Sequence, residues 1–574
     1  MALGERAFDE RRDPRRGLAP CGVRLSVSAK ARWLARVALV EVLVLVMAIL
    51  LSYVHSNASD SDGWFLLDTG RRVSESGILR ENPWSLVGGL KVVVQQWLHD
   101  VVLWRLYELG GFPLVRAWAC VLALALCALA YAHCRLACTR TGRGLDVAHA
   151  LGLMCLVVGA LAGWETVRPS LWSCAMALGC MLACERHRAT GKARWLCALP
   201  VIMLLHMQIH MSLAWLDVLV VLGYLLPEGM AEARSLLECL RNGGTECMSG
   251  LLRPRAAVLM AALAMVAAMP LNPYGIDGML YLFRSFGAAS YRSMIVEMLP
   301  VWRSDPLYVT LWLSLPVLLG LVLPTALSVW LGCLRIDLTV MGAVALAAGA
   351  MQVRNGWLCV MVGVVVWAQV LAHLPMRRGG TAPGDPVGDG SPSLGAGEER
   401  ADMPGSSDPV AGLPSRHAPL ALLAVSAALA AVLSASGVFA AAESFEAKDS
   451  ALSPLLDAAE DADGDGEPVI YADMGTLNWL EWRGVRVLAD ARPELWEPAI
   501  SGQPRHLWEE LADSWLSLRD GGRSFGEYVS ARGVEFVLLP DESGDRLGRY
   551  DGLEPMASSG GFTLWKVVGE VVPR

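Results

Sequence analysis

Two aspartates, Asp60 and Asp62, lie just beyond the first long apolar run of the chain, which covers residues 33–53. A carboxylate at a membrane edge can take a proton from a hydroxyl. Two carboxylates this close repel each other, which raises the pKa of one of them and suits a base that works near neutral pH. We predict Asp62 as the base, with Asp60 as partner and alternative. The other interpretation is that both residues begin turns or end a helix.

Arginines in the same predicted loops could bind an anionic leaving group through charge-assisted hydrogen bonds. Arg168 opens the fourth apolar run and Arg354 opens a late one. Three more lie in the loop before the eighth run, namely Arg284, Arg292 and Arg303. Carboxylates and arginines in one set of loops indicate chemistry on a substrate that carries a negative charge.

Two histidines, His206 and His210, are four residues apart and therefore lie on one face of a predicted helix, with Gln208 between them. Such a pair can bind a metal, but no acidic third ligand is near in sequence. Polar groups at membrane depth usually face a cavity or the bundle interior. We therefore favour a polar patch that faces a cavity.

An acidic segment over 461–466 resembles the start of a calcium loop, but Ala472 occupies the position that requires a bidentate glutamate. We interpret it as an acidic turn. The sequence predicts no metal site and no certain cofactor, and it leaves a divalent metal open.

The elements that must position these residues are membrane helices. Of the 574 residues, 54% are apolar and the mean hydropathy is +0.42, which is typical of polytopic membrane proteins. A spanning helix needs about 20 apolar residues. We predict an all-α bundle of about eleven spans. The runs cover 33–53, 113–133, 147–164, 169–184, 195–209, 211–227, 256–270, 307–330, 338–352, 356–374 and 418–441.

Charge bias orients the bundle. The tail 1–32 is rich in arginine, so we predict it to be cytoplasmic, and this places the long loops 54–112 and 271–306 outside. An odd number of spans also places the C-terminal region 443–574 outside. The fourteen cysteines avoid these outer parts, so we expect no disulfide there. The net charge of −8 gives no sign of a nucleic-acid partner.

The chain is predicted to divide into three regions. A transmembrane domain covers 33–375, and a Pro- and Gly-rich stretch over 376–417 cannot bury enough apolar surface to fold, so we expect a disordered cytoplasmic linker. After a last span at 418–441, residues 443–574 form a small exterior α/β domain. Its predicted elements are the strands Val469–Asp473, Val485–Asp490, Val534–Pro540 and Phe562–Val568 and the helix Thr476–Trp482.

The first outer loop contains a further amphipathic helix over 91–108. One of its faces is apolar and the other polar, which suits a helix in the membrane interface. The alternative is a loop helix packed on the bundle. The apolar face carries Val94, Trp97, Val101 and Trp104, and the polar face carries Gln96, His99 and Asp100.

In their order along the chain, these motifs resemble those of bacterial membrane glycosyltransferases of the GT-C superfamily, which includes protein O-mannosyltransferases, aminoarabinose transferases and the catalytic subunit of oligosaccharyltransferase. The resemblance is to a poorly characterised branch. Three positions depart from the pattern of that branch, namely Leu66, Gln208 and Met298. The matching positions are Asp60, Asp62, Trp64, Thr69, Gly70, Trp97-Leu98, Leu106–Gly111, Arg168-Pro169, His210, Asn272–Gly275, Glu297, Pro300, Arg354-Asn355, Asp490, Arg492 and Glu494.

The resemblance implies a GT-C-like bundle that takes a sugar from a polyprenyl-phosphate donor. The acceptor would be an envelope glycan, lipid or protein at the outer face of the plasma membrane. It implies Asp62 and Asp60 as catalytic residues, and a substrate-binding set of Arg168, His210, Gln208, Asn272, Glu297, Arg354, Trp97 and His99. Asp490, Arg492 and Glu494 of the exterior domain would select the acceptor or form a structural salt-bridge cluster. The alternative function is a non-enzymatic transporter, flippase or envelope-assembly protein.

The topology can be tested by labelling. In intact cells, Glu460→Cys is expected to react with a membrane-impermeant maleimide, because the C-terminal domain is predicted outside while the native cysteines lie in spans or in cytoplasmic segments. Labelling of residue 460 only after lysis would reverse the predicted orientation.

Overall fold

The computed structural model describes residues 29–57, 62–161, 167–242, 245–283, 296–309, 313–374, 445–464, 467–490 and 492–574. A unit of helices covers the described residues up to 374, and a second unit that contains a small sheet follows from 445. The predicted linker 376–417 and the predicted span 418–441 lie outside the described residues. The fold is thus mostly helical with a small C-terminal sheet, as the sequence predicts.

The helical unit follows the apolar runs. Its α-helices are Ala29–Asn57, Asp62–Ser76, Trp97–Arg140, Val147–Leu161, Ser170–Thr190, Ala198–Ile209, Ala214–Gly223, Met230–Asn242, Thr245–Ala268, Ile276–Met279, Pro306–Val309, Leu315–Trp330, Ile336–Met351 and Gly356–His373. A π-helical turn, Leu318–Val322, interrupts one of them. Short 3₁₀ helices connect the others at Ala193–Trp195, Met211–Leu213, Val296–Met298, Val301–Arg303 and Val353–Asn355.

Three helical stretches in the described part of the chain are long and apolar enough to cross a membrane, namely Trp33–His55, Trp97–Arg140 and Val353–His373. Shorter apolar helices accompany them at Val147–Leu161, Ala193–Ile209, Met211–Gly223, Leu315–Trp330 and Ile336–Met351. With the apolar composition, these helices make the chain a membrane protein. The count of about eleven spans and the direction of insertion stay predictions.

The long helix Trp97–Arg140 breaks at Gly110 and Gly111. Gly111 has φ +65° and ψ −162°, a conformation that glycine adopts without a Cβ clash. The break separates the loop helix from the predicted span that follows. The loop helix begins at Trp97, so its predicted start at residue 91 is wrong: residues 91–96 form an isolated bridge and a turn. The polar face of the loop helix is packed on the bundle, since His99 and Asp100 are buried.

A buried ion-pair cluster fastens one end of the bundle. Arg335 pairs with Glu185 at 2.7 Å and with Asp337 at 2.6 Å. Arg140 binds the same Glu185 at 3.0 Å, and also Glu228 at 2.7 Å. Each carboxylate has a cationic partner, which offsets the cost of removing these charges from water. The cluster joins helices Trp97–Arg140, Ser170–Thr190 and Ile336–Met351 at the end predicted to be cytoplasmic.

The C-terminal unit contains a four-stranded sheet with the order β1-β2-β4-β3. Strand β1 is Ile470–Ala472, β2 is Phe536–Pro540, β3 is Tyr550–Ser559 and β4 is Phe562–Pro573. Strand β1 runs parallel to β2, with Tyr471 opposite Val537, and the other pairs are antiparallel. The accompanying helices are 445–463, Met474–Trp482, Pro498–Ser501, Leu507–Asp520, Ser524–Ala531 and Gly544–Leu547.

One predicted strand of this sheet is wrong, and one observed strand was not predicted. Residues 485–490 are not a strand of the sheet: Val487 forms a single parallel bridge with Ser85 of the helical unit, and its N–H donates to the Trp84 carbonyl at 2.8 Å. Strand β3 was not predicted because it is mostly exposed and contains glycine and proline. It is an edge strand with two bulges.

Helix Asp62–Ser76 lies directly against the loop helix at Gly70. A Cβ at residue 70 would come within 2.0 Å of the Asp100 carbonyl oxygen and 2.9 Å of the Trp104 Cβ. Only glycine permits this approach.

Gly70→Ala is expected to lower the free energy of unfolding by about 1–3 kcal/mol, because the two helices must separate. The measurement is the thermal unfolding midpoint of purified protein in detergent. Gly88→Ala is the matched control, since nothing lies within 4 Å of a Cβ at that position. Equal midpoints for the two variants would contradict the close helix contact.

Candidate active site

Four charged residues from four separate segments meet in one cluster. Arg168 Nε lies 2.8 Å from Asp62 Oδ2, and Arg168 Nη1 donates to Glu297 Oε1 at 3.2 Å. Arg354 Nη1 lies 3.6 Å from the same Glu297 oxygen. Two carboxylates thus alternate with two guanidinium groups, and the structure brings together four of the residues selected from the sequence.

Each member is placed by a helix end. Asp62 is in the first turn of helix Asp62–Ser76, and Arg168 lies two residues before the first residue of helix Ser170–Thr190. The 3₁₀ helices Val296–Met298 and Val353–Asn355 carry Glu297 and Arg354. The backbone N–H of Val353 donates to the Leu299 carbonyl at 3.2 Å, which holds these last two segments together.

His99 supports this arrangement from the loop helix. Its Nε2 lies 2.7 Å from the carbonyl oxygen of Val167, the residue before Arg168. Since a carbonyl only accepts, His99 Nε2 carries the proton and donates it. His99 therefore positions the Arg168 backbone and does not belong to the cluster itself.

The cluster is open enough to receive a ligand. The exposed fractions of its four side chains lie between 23% and 34%. Its formal charge is balanced, so an anion that binds the arginines must compete with the carboxylates. The arrangement can therefore hold a phosphate and release a carboxylate in the same event.

Asn272 and Gln208 both make hydrogen bonds to the turn over residues 271–275. Asn272 Oδ1 accepts from the Tyr274 N–H at 2.8 Å, and its Nδ2 donates to the Gly275 carbonyl at 2.9 Å, so this side chain shapes the turn. Gln208 Nε2 donates to the Leu271 carbonyl at 2.9 Å. Burial raises the pKa of the Tyr274 hydroxyl, which stays protonated and donates to the Leu79 carbonyl.

The two histidines of the predicted polar patch are both hydrogen-bonded to neighbouring side chains. His206 Nδ1 lies 2.7 Å from Asp217 Oδ2, and Ser173 Oγ lies between His206 Nε2 and His210 Nδ1. Ser173 was missed because a serine in an apolar run has no sequence signal of its own. Among the described residues, no group of three His, Cys, Asp or Glu could hold a metal ion.

The C-terminal unit is fastened to helix Asp62–Ser76 through Asp490 and Arg492. Arg492 donates to Asp490 at 2.9 Å and to the Thr69 hydroxyl at 3.0 Å, and its guanidinium lies 3.5 Å from the centroid of the Trp84 ring. Asn82 Nδ2 donates to the same Asp490 carboxylate at 2.8 Å. Asp490 is fully buried and Arg492 is 8% exposed, so the two form a buried ion pair at the junction of the two units.

Asp68 is a second buried carboxylate of this junction that the sequence analysis did not select. It accepts from Arg72 Nε at 2.7 Å and also from Arg71 and the Trp84 indole N–H. Arg71 also donates to the Trp482 carbonyl at 3.3 Å. These bonds tie helix Asp62–Ser76 to both units.

Aromatic stacking extends the junction. Phe445 stacks on Phe112 with centroids 4.4 Å apart, and Trp64 meets Phe445 edge-on at 5.0 Å. Arg116 lies 4.7 Å from the Phe445 centroid. The first helix of the C-terminal unit therefore packs against the point where helix Trp97–Arg140 breaks.

The remaining predicted residues lie elsewhere. Trp97 begins the loop helix half-buried, and Arg303 is exposed. Asp60, Arg284 and Arg292 lie outside the described residues, as does the side chain of Glu494.

No protein-family model matches the chain, and no curated protein matches it. Solved structures similar to it include the apo oligosaccharyltransferase of Archaeoglobus fulgidus, with 10% identity over 88% of this chain and 70% of that chain and a TM-score of 0.45. AglB from the same organism, in complex with an inhibitory peptide and a dolichol-phosphate, has 9% identity, coverage of 92% and 74%, and a TM-score of 0.48.

ArnT from Cupriavidus metallidurans, bound to undecaprenyl phosphate, is also similar, with 12% identity over 95% of this chain and 100% of that chain and a TM-score of 0.46. Oligosaccharyltransferase and ArnT are GT-C glycosyltransferases, the superfamily whose motifs the sequence resembles.

Arg492→Ala is expected to destabilise the protein by about 3–5 kcal/mol, because it leaves the buried Asp490 without its cation. The matched control is Arg505→Ala, whose partner Asp513 is 55% exposed, and about 0–1 kcal/mol is expected there. Thermal unfolding of both variants in detergent measures the difference. A midpoint for Arg492→Ala as high as that of the control would show that Arg492 does not stabilise the junction of the two units.

Proposed function

We propose that the protein is a membrane glycosyltransferase that moves a sugar from a polyprenyl-phosphate donor to a cell-envelope acceptor on the outer face of the plasma membrane. The observation that supports this most strongly is the cluster of Asp62, Arg168, Glu297 and Arg354. It combines a base for an acceptor hydroxyl with cations for a leaving phosphate.

The donor phosphate is proposed to bind Arg168 and Arg354. Both guanidinium groups face Glu297, so a phosphate between them would bridge two cations. Charge that develops on the leaving oxygen during bond breaking is stabilised by the same arginines. The apolar tail of the donor suits a groove among the apolar helices.

Asp62 is proposed as the base, with Asp60 as the alternative. Its ion pair with Arg168 weakens it as a base, because a neighbouring cation favours the charged carboxylate. When the donor phosphate takes up Arg168, Asp62 is released. It then accepts the proton of the acceptor hydroxyl while the acceptor oxygen bonds to the sugar carbon and the bond from that carbon to the phosphate oxygen breaks.

The C-terminal unit is proposed to cap the cluster. The described residues of this unit are 445–464, 467–490 and 492–574. Its Arg492 bonds to helix Asp62–Ser76, the helix that carries Asp62. An acceptor that approaches Asp62 would therefore meet this unit. The outer-face location rests on the arginine bias of the loops.

The probe is chosen to match the lipid carriers in the similar structures, which are undecaprenyl phosphate for ArnT and a dolichol-phosphate for AglB. The assay uses protein in liposomes with a panel of radiolabelled hexosyl and aminopentosyl undecaprenyl phosphates and cell-envelope fractions as acceptors.

Asp62→Asn is expected to lower transfer by about 10²–10⁴-fold, because the amide cannot take the acceptor proton. Donor binding and expression should be unchanged. Asp146→Asn is the matched control: Asp146 also pairs with an arginine, Arg36, at 2.8 Å, but near the other end of helix Ala29–Asn57. Its transfer rate should stay close to that of the wild type.

A normal rate for Asp62→Asn with an inactive Asp60→Asn would assign the base to Asp60. Full activity of both variants would reject the mechanism. Wild-type protein that transfers no sugar from any donor of the panel, yet moves lipid-linked glycan across vesicles, would reject the enzyme and favour a flippase.

A further inference from the structure

Four buried polar side chains form a continuous hydrogen-bonded line in the helical unit. Asp217 Oδ2 lies 2.7 Å from His206 Nδ1, His206 Nε2 lies 3.0 Å from Ser173 Oγ, and Ser173 Oγ lies 2.7 Å from His210 Nδ1. Three helices or helix ends supply these groups, and the exposed fraction of each residue is 7% or less. Such a line in an apolar bundle costs desolvation energy that ordinary packing would avoid.

The line has a defined direction of hydrogen bonds. The Asp217 carboxylate accepts, so His206 Nδ1 carries a proton and a neutral His206 has a bare Nε2. Ser173 then donates its hydroxyl proton to that nitrogen and accepts from His210 Nδ1–H. This leaves His210 Nε2 without a proton, so its lone pair can accept one.

His210 is the end of the line that Arg354 of the charged cluster faces. It follows helix Ala198–Ile209, and the next residue donates its N–H to the Gln95 carbonyl at 2.9 Å. The charged or titratable groups that face it are Arg354, His99 and His206. At the other end of the line, Cys180 faces Asp217. Arg354 and His99, when charged, repel a positive charge on His210, whereas Asp217 attracts one on His206.

We propose that this line is a proton relay that takes the proton of the reaction away from the charged cluster and stores it on the His206–Asp217 pair. The proposal rests on the proposed glycosyl transfer. His210 is the residue that receives the proton at the site, and Ser173, His206 and Asp217 are positioning residues that act through it.

The steps balance. The Asp62 carboxylic acid formed during transfer gives its proton, through solvent in the cluster, to His210 Nε2. The proton on His210 Nδ1 passes to Ser173 Oγ as the hydroxyl proton of Ser173 passes to His206 Nε2. The result is a neutral His210 and a His206 imidazolium paired with the Asp217 carboxylate. The reverse path restores the line.

The kinetic test uses the donor-transfer assay as a function of pH. Ser173→Ala breaks the line and is expected to lower kcat about tenfold or more, with an unchanged KM for the donor and a reduced solvent deuterium isotope effect on kcat. Ser173→Thr keeps the hydroxyl and should recover most of the rate. His133→Gln is the control, since His133 is a buried histidine whose Nε2 bonds to a carbonyl, that of Leu178, at 3.1 Å.

A kcat and isotope effect of Ser173→Ala equal to those of the wild type would overturn the relay and leave the proposed transfer intact. If wild-type protein transfers no sugar, the proposed transfer fails, and the line is tested separately by NMR of protein labelled with ¹⁵N-histidine. The ¹⁵N chemical shifts of His206 are expected to show a protonated Nδ1 and an Nε2 that accepts a hydrogen bond, and Ser173→Ala should shift the Nε2 signal because that bond is lost. An Nε2 signal that is unchanged in this variant would overturn the relay.

Discussion

Hydrogen bonds of Asp490 and Arg492, a buried ion pair within the C-terminal unit, hold the two units of the chain together. Arg492 donates to the hydroxyl of Thr69, on the helix that begins with Asp62, and Asp490 accepts from Asn82. A buried guanidinium without a carboxylate would be strongly destabilising, so Asp490 allows Arg492 to be buried at this junction. The junction thereby fixes one side of the helix whose first turn carries Asp62, the partner of Arg168.

Much of the helical unit could be predicted, because a spanning helix must be apolar over most of its length and the runs show this directly. Helix breaks and π-helical turns were harder to predict. The boundary at Gly110 and Gly111 was visible as a glycine pair, while the π-helical turn Leu318–Val322 has no such sign. In the C-terminal unit, Val485–Asp490 has the composition of a strand, but its partner, Ser85, is distant in sequence and in the other unit. Only the tertiary structure could show this.

The charged members of the candidate site could be selected because carboxylates and arginines in the predicted outer loops suit chemistry on an anionic substrate at the membrane edge. The ion pairs among these residues could not be predicted, because the partners of Arg168, Asp62 and Glu297, are distant from it in sequence. Small polar residues were invisible for a different reason. Ser173 has meaning only through His206 and His210, which approach it from another helix.

Asp62 and Thr69 are seven residues apart on one helix, so they lie on nearly the same side, about 10 Å apart along the axis. This helix therefore works as a rigid lever between the two units. A tilt of about 6° at the Thr69 end would move the Asp62 end by about 1 Å, enough to change a reaction rate about 10²-fold. The position of the C-terminal unit and the position of the Asp62 carboxylate are thus mechanically coupled through this helix.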